Sequence, residues 1–201
     1  IIIKNFDVDV KKFIILNLLL AKKIYFSNRM NCYLHNFICK INSEELSEEL
    51  ESGGFHTDFL FQNNIPDFIS LNCINKDPKY PYLGRNYIID VNKIFKILVT
   101  NFNLTEDYLF NISFPYTFGD KTIWIRPFKK IDNKLEMTIH LKIIDKLKLT
   151  KEHLINGIFL NDIINHISLS EGENLVLDSG DVIIMSNKFL LHKRGECSID
   201  L

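Results

Sequence analysis

The residues best suited to chemistry in this chain lie in one short run, His56-Thr57-Asp58, within Phe55-His56-Thr57-Asp58-Phe59-Leu60-Phe61. Apolar residues crowd that run between turn residues, which reads as a strand. On a strand, side chains alternate, so His56 and Asp58 project from one face while Thr57 points away and serves as an ordinary strand residue. An imidazole beside a carboxylate makes part of an open metal site. An unpaired carboxylate amid Phe55, Phe59 and Phe61 would be costly without a cation. A third ligand has to come from elsewhere, and the best candidate is His192 in Asn187-Lys188-Phe189-Leu190-Leu191-His192-Lys193-Arg194. Two histidines and one carboxylate on one side of a metal leave the opposite positions open, a donor set suited to non-haem Fe(II). The same set could hold zinc and activate water, although the helical H-E-x-x-H spacing of many zinc hydrolases is absent.

Other candidates carry less. Cys32, His35 and Cys39 have the residue types of a zinc site but supply three ligands with no visible fourth, and read as buried cysteines beside a partly exposed histidine. His140, His153 and His166 show no partnering spacing and read as surface or helix-face residues. Arg126, beside Trp124, reads as a strand-edge arginine packing its stem on the indole. The run from Lys142 to Lys151 lacks interleaved arginine and aromatic residues and reads as a solvated face.

The elements that must position these groups are mixed. Residues 11 to 26 are rich in Leu and Ile and predict a buried helix. Asn42 with Glu45 three residues on has capping-box spacing, so a helix with a solvated acidic face (Glu44, Glu45, Glu48, Glu49) is expected before Ser52-Gly53-Gly54 turns the chain. Strands are expected at 69–74, 86–91, 122–128 and 175–177, and a strand–turn–strand over 181–191. Helices are expected at 91–99, 105–110 and 150–167. Short strands at both ends with helices between favour a sheet sandwich or barrel over alternating βαβ units.

Composition bounds the function. The chain has 201 residues, 46% hydrophobic, with Lys+Arg 24 against Asp+Glu 25. That balance excludes disorder and disfavours a nucleic-acid or anionic-membrane surface. A single domain over 1–201 is expected, with no repeat or linker. Four scattered cysteines point to a reducing compartment, and the protein is expected to be cytoplasmic. The longest apolar run, from Phe13 to Ala21, is interrupted by Asn17 and falls short of the roughly 18 residues a span needs. Lys22 and Lys23 follow it where a signal peptide would place small residues. The chain starts at Ile1 rather than Met and stops at Leu201, so it is expected to be incomplete at both ends.

Three ordered segments resemble a known family. Gly53-Gly54-Phe55-His56-Thr57-Asp58, then Pro66-Asp67-Phe68-Ile69-Ser70-Leu71-Asn72-Cys73, then Gly84-Arg85-Asn86-Tyr87-Ile88-Ile89-Asp90 are similar to the TauD/TfdA (clavaminate synthase-like) Fe(II)/2-oxoglutarate-dependent oxygenases. Ser179-Gly180-Asp181-Val182-Ile183-Ile184-Met185-Ser186-Asn187, leading to Leu191-His192-Lys193-Arg194, resembles their strand–turn–strand with the distal histidine. The resemblance implies an α+β, mainly β chain built on a double-stranded β-helix (a jelly-roll, cupin-like barrel) with His56, Asp58 and His192 holding Fe(II). It implies that 2-oxoglutarate and O2 become succinate and CO2 while a small-molecule substrate is hydroxylated or desaturated. Retention of Asp58 argues against halogenation, since halogenating relatives lack the carboxylate. For the co-substrate, the resemblance places Asn86 where relatives carry a Thr or Ser, and matches Arg194 to the arginine of H-x-R. The arginine that relatives place one strand later, to grip the distal carboxylate, has no counterpart before Leu201. A catalytically impaired jelly-roll binding protein is therefore the alternative expectation.

Overall fold

The computed structural model describes residues 1–27, 31–43, 47–62 and 65–199. Its strands are β1 (Ile2–Ile3), β2 (Phe68–Asn72), β3 (Asn86–Asp90), β4 (Phe114–Phe118), β5 (Lys121–Ile125), β6 (Phe128–Ile131), β7 (Lys134–Met137), β8 (Leu154–Ile155), β9 (Ile158–Phe159), β10 (Glu173–Leu175), β11 (Val182–Ser186) and β12 (Leu190–Arg194). Its α-helices are α1 (Val10–Leu20), α2 (Val91–Asn101), α3 (Glu106–Asn111) and α4 (Leu160–Glu171). The chain is mostly β with helices. No helix among the described residues is long and apolar enough to cross a membrane.

Two antiparallel three-stranded sheets form the centre, ordered β1-β11-β2 and β10-β3-β12. Their facing residues make one small core: Ile88, Leu175 and Leu190 from the second sheet meet Ile69, Leu71, Ile183 and Met185 from the first. Alternation sends Ile89 and Leu191 to the other face of the second sheet. There they join the larger core built on Val91, Ile94 and Leu98 of α2 and on Leu160, Ile163, Ile164 and Ile167 of α4. The i, i+3, i+7 spacing of Val91, Ile94 and Leu98 gives α2 one apolar stripe. Its start is fixed by the Asp90 carboxylate, which accepts from the Asn92 N–H at 2.6 Å. The described strands show this two-layer packing and not a closed barrel.

Several expectations are corrected. The Leu- and Ile-rich stretch is helical over Val10–Leu20, but only Phe13 is buried, while Leu18, Leu19 and Leu20 are 59%, 80% and 62% exposed. Apolar residues surround that helix instead of forming a stripe, so only one side of it meets the body of the protein. The helix expected from Asn42 is not seen among the described residues. Asn42 itself has a φ of 55° in a turn, Ser47 and Glu48 lie in a turn and Leu50 in a bend, and Glu44 and Glu45 lie outside the described residues. Glu48, expected on a solvated face, is buried and accepts from Lys40 Nζ at 2.7 Å and Ser43 Oγ at 3.2 Å. The 150–167 helix is confined to α4. Before it, Asn156 and Gly157, with φ of 51° and 82°, close a hairpin between β8 and β9, as an Asn-Gly pair favours. His153 is buried, with Nε2 donating to Ser113 O at 2.7 Å and Nδ1 accepting from Thr150 N–H at 3.0 Å. His166 is exposed on α4, as expected.

Candidate metal centre

The run carrying His56 is not a strand but a single-residue bridge. His56 pairs on one side with His192, through His56 N–H to His192 O at 2.9 Å and His192 N–H to His56 O at 3.1 Å. On its other side it pairs with His140, flanked by Thr57 N–H to Ile139 O at 2.8 Å and Leu141 N–H to Phe55 O at 3.0 Å. Thr57 is buried, and its Oγ1 accepts from Ile139 N–H at 3.2 Å. The pairing stops at Asp58 because the amide of Asn187 takes both of its backbone groups, and Phe59 then turns the chain with a φ of 63°. His56 and Asp58 nevertheless share one side, as two-residue alternation requires.

Four pieces of chain thus bring the donors together: the 55–58 run, β12, the turn before β12, and the 139–141 stretch. One donor atom each from His56, Asp58 and His192 lies within 4.8 Å of the other two. Asp58 sits between the imidazoles, with Oδ1 at 3.5 Å from His56 Nε2 and Oδ2 at 3.3 Å from His192 Nε2. The side chains are 21%, 35% and 11% exposed for His56, Asp58 and His192, so the group opens to solvent on the carboxylate side.

The electrostatics hold a carboxylate ready. Burial works against the Asp58 charge, but hydrogen bonds and charge from His192 and His56 outweigh it and hold the carboxyl well below its usual range. Burial also opposes a charge on His56, yet Asp58 and the Gly54 carbonyl raise its pKa. Burial, then repulsion from His56, lowers that of His192. His56 Nδ1–H donates to Gly54 O at 2.7 Å, which turns Nε2 toward the site as the nitrogen that would ligate a metal on losing its proton. Gly54 is needed there, since a Cβ on it would stand 2.8 Å from the Lys142 backbone nitrogen. Nδ1 of His192 is buried with no hydrogen-bond partner among the described residues, so that ring is oriented by Asp58 and by the His56 ring, whose centroid lies 4.4 Å away.

His140, read as a surface residue, instead stacks its ring on His56 at 4.7 Å and 22°. Burial and the neighbouring His56 charge lower its pKa to about 3, so it is a neutral imidazole. Its backbone N–H donates to the Tyr116 hydroxyl at 3.3 Å. The spacing of His140 from the other histidines carries no signal, but the alternation Leu135, Met137, Ile139, Leu141 against Glu136, Thr138, His140 does.

Asn86 opens β3, directly opposite Arg194 of β12, and the register puts both on the sheet face that carries His192. The Arg194 guanidinium is engaged within the protein. Nη1 donates to Gly195 O at 3.0 Å and Cys197 Sγ at 2.7 Å, and Nη2 to Glu51 O at 3.1 Å and to Glu49 O. Cys32 and Cys39 do not share a cluster with His35, whose Nε2 instead lies 3.7 Å from Glu48 Oε1.

No protein-family model matches the chain, and no curated protein matches it significantly. Solved structures do. Asparagine oxygenase in complex with Fe(II), a 3-hydroxyasparagine and succinate matches with a TM-score of 0.62 at 15% identity, over 76% of this chain and 47% of that one. The non-haem iron oxygenase OrfP in complex with Fe and alpha-ketoglutaric acid matches at 0.64 and 13%, over 94% and 59%. The PvcB protein from Pseudomonas aeruginosa matches at 0.54 and 14%, over 74% and 52%. The chain spans about half the length of these proteins, and what it shares with them is the fold.

Proposed function

We propose that this chain is a non-haem Fe(II)- and 2-oxoglutarate-dependent oxygenase of the TauD/TfdA-like kind, on a jelly-roll scaffold, acting on a small molecule. The observation that carries the reading is the convergence of His56, Asp58 and His192 within 4.8 Å, beside an opening on the carboxylate side. The donor set fits the ion: two imidazole nitrogens and one carboxylate leave room for exchangeable ligands. The resemblance in fold to iron oxygenases supports it. Bound iron would supply the centre at which O2 is reduced as 2-oxoglutarate is decarboxylated, producing an oxidant able to take hydrogen from an unactivated carbon.

The protein's own share is positioning. Gly54 O fixes the His56 tautomer, Asn187 fixes the Asp58 backbone, and burial keeps His192 neutral so that its lone pair is available. Asn86, on the His192 face with no hydrogen-bond partner for its side chain among the described residues, is the proposed contact for the co-substrate carboxylate. Arg194, its cross-strand neighbour on β12, is proposed to contribute beside it.

The test is succinate production from 2-oxoglutarate with Fe(II) and ascorbate, and its loss in Asp58→Ala. A chain that binds no Fe(II) would overturn the reading, and zinc recovered after anaerobic purification would favour a hydrolase. A second reading, a jelly-roll binding protein without turnover, is favoured by one observation: the donors of Arg194 already serve protein acceptors. Calorimetry separates the two, since the metal-loaded oxygenase binds 2-oxoglutarate and the impaired protein does not.

A further inference from the structure

Strand alternation gives the two sides of β12 different chemistry. His192 faces the metal group, whereas Lys193, the next residue, points to the opposite side of the sheet. There a cavity of about 290 Å³ lies between the 51–54 strip, the 141–146 stretch and α4. That volume is at the lower end for small-molecule sites. The charges around it are unequally matched. Lys142 pairs with Glu49 at 2.5 Å, and Lys146 pairs with Asp162 at 3.1 Å. Lys193 and Glu51 line the same cavity, and neither has an ion-pair partner among the described residues.

The Lys193 ammonium is held in place without being neutralised. Its Nζ donates to Ser52 Oγ at 3.1 Å and lies 4.9 Å from the Tyr87 ring centroid and 5.3 Å from that of Phe55. Aromatic faces favour a cation but carry no counter-charge. An ammonium has three donors, and Ser52 takes one of them. In the cavity wall on α4, Asn161 is 2% exposed. Its Nδ2 donates to Asp162 Oδ1 at 3.0 Å, while its Oδ1 has no hydrogen-bond partner among the described residues. A buried amide oxygen without a donor is costly, so this wall calls for one.

We propose that this cavity binds a small zwitterion of the α-amino acid class, its carboxylate on Lys193 Nζ and its ammonium between Glu51 and Asn161 Oδ1. Charge decides the class. A simple anion leaves Glu51 and the Asn161 oxygen unanswered, and a simple amine leaves Lys193 so. A zwitterion answers all three and adds no net charge to a lining in which three lysines already face Glu49, Glu51 and Asp162. The site is separate from the metal group. Gly53 and Gly54 belong to its wall, and Gly54 O meets the His56 ring from behind. The inference does not rest on the oxygenase reading, and its test involves neither iron nor turnover.

The intact 15N-labelled chain is titrated with L-alanine and, in parallel, with propionate and ethylamine, which each lack one of its two charges. Amide shifts are followed at Gly53, Gly54 and the Asn161 side chain. L-Alanine is expected to shift these signals saturably, with a Kd on the order of 1 mM for so small a ligand. Propionate and ethylamine are each expected to bind at least about tenfold more weakly, because each forfeits a charge-assisted contact. Lys193→Gln and Glu51→Gln are each expected to weaken L-alanine by about tenfold, and Glu51 is exposed, so its variant keeps the fold. Lys134→Gln, outside the cavity, leaves the affinity unchanged. Propionate binding as tightly as L-alanine would make this a bare anion site and overturn the proposal. So would shifts that never saturate, shifts confined to His56 and Asp58, or an affinity that both cavity variants leave intact.

Discussion

The side chain of Asn187 clamps the backbone of Asp58, with Oδ1 accepting from Asp58 N–H at 2.7 Å and Nδ2 donating to Asp58 O at 3.1 Å. A third bond runs from Nδ2 to Pro66 O at 3.2 Å, and the residue is fully buried. Asn187 belongs to the turn that feeds β12, so the turn leading to one candidate ligand fixes the placement of another.

Asn187→Ala removes the partner of three groups, the Asp58 N–H, the Asp58 carbonyl and the Pro66 carbonyl. At about 1–3 kcal/mol for each buried group left unpaired, the expected loss of stability is about 3–6 kcal/mol. Displacement of Asp58 is expected to weaken divalent-metal binding by about 10- to 100-fold. Urea unfolding and an anaerobic Fe(II) titration of the same variant measure the two effects. Full metal affinity in a destabilised variant would show that Asn187 supports the fold but not the ligand.

His140 contributes a ring and not a charge to the group around His56. With its pKa lowered to about 3, it stays neutral through the physiological range. His140→Phe preserves a flat ring against His56 and is expected to leave Co(II) affinity within about threefold of the parent chain. His140→Ala removes the ring that packs on His56 and is expected to cost about tenfold, as loss of a supporting neighbour does at metal sites. Equal losses in both variants would assign His140 a polar role in place of a packing one.

What the sequence made legible follows from how local each signal is. The helical spacing over 91–99 marks α2, and the two runs on either side of Ser186-Asn187 mark β11 and β12, because such periodicity acts within a few residues. The His56, Asp58 and His192 candidates were legible as residue types and meet in space, though the local conformation around Asp58 was misread. Its backbone bonds go to Asn187, a residue remote in sequence, so no local propensity records them. Glu48 and His153 were misplaced for a related reason. Each is buried because a particular partner satisfies it (Lys40 for one, Thr150 and Ser113 for the other). Residue type alone assigns both to the surface.

Helix α1 separates hydrophobic composition from hydrophobic burial. Phe13 is its one buried residue, while Leu19 and Leu20 stand 80% and 62% exposed. Phe13→Ala is expected to cost about 3 kcal/mol, the lower end for emptying a buried aromatic site. Leu19→Lys is expected to change stability by no more than about 0.5 kcal/mol, as an exposed substitution does, while raising solubility. Chemical denaturation of the two variants side by side checks the contrast. A large loss for Leu19→Lys would mean that this face is covered in solution.

Acid should release the amino-terminal segment before it unfolds the sandwich. The buried Asp181 carboxylate accepts from Lys4 Nζ at 2.6 Å, Asn5 N–H at 3.0 Å and Asp178 N–H at 2.8 Å, tying the chain after β1 to the start of β11. Burial opposes its charge, but these hydrogen bonds outweigh burial and hold its pKa below the ordinary value of 3.8. A carboxyl with a depressed folded-state pKa binds protons more readily when unfolded. Its contribution is therefore complete above about pH 4 and is lost as pH falls through the folded-state value. Asp181→Asn should be less stable than the parent chain at pH 7 by about 1.5–3 kcal/mol, the range for a hydrogen bond to a charged group. The gap should narrow as both are titrated below pH 4, since the parent loses its advantage as its carboxyl takes up a proton. Urea midpoints across that range decide it, with amide exchange at Asn5 reporting the local release. Stability curves that stay parallel until the parent chain itself unfolds in acid would refute the assignment.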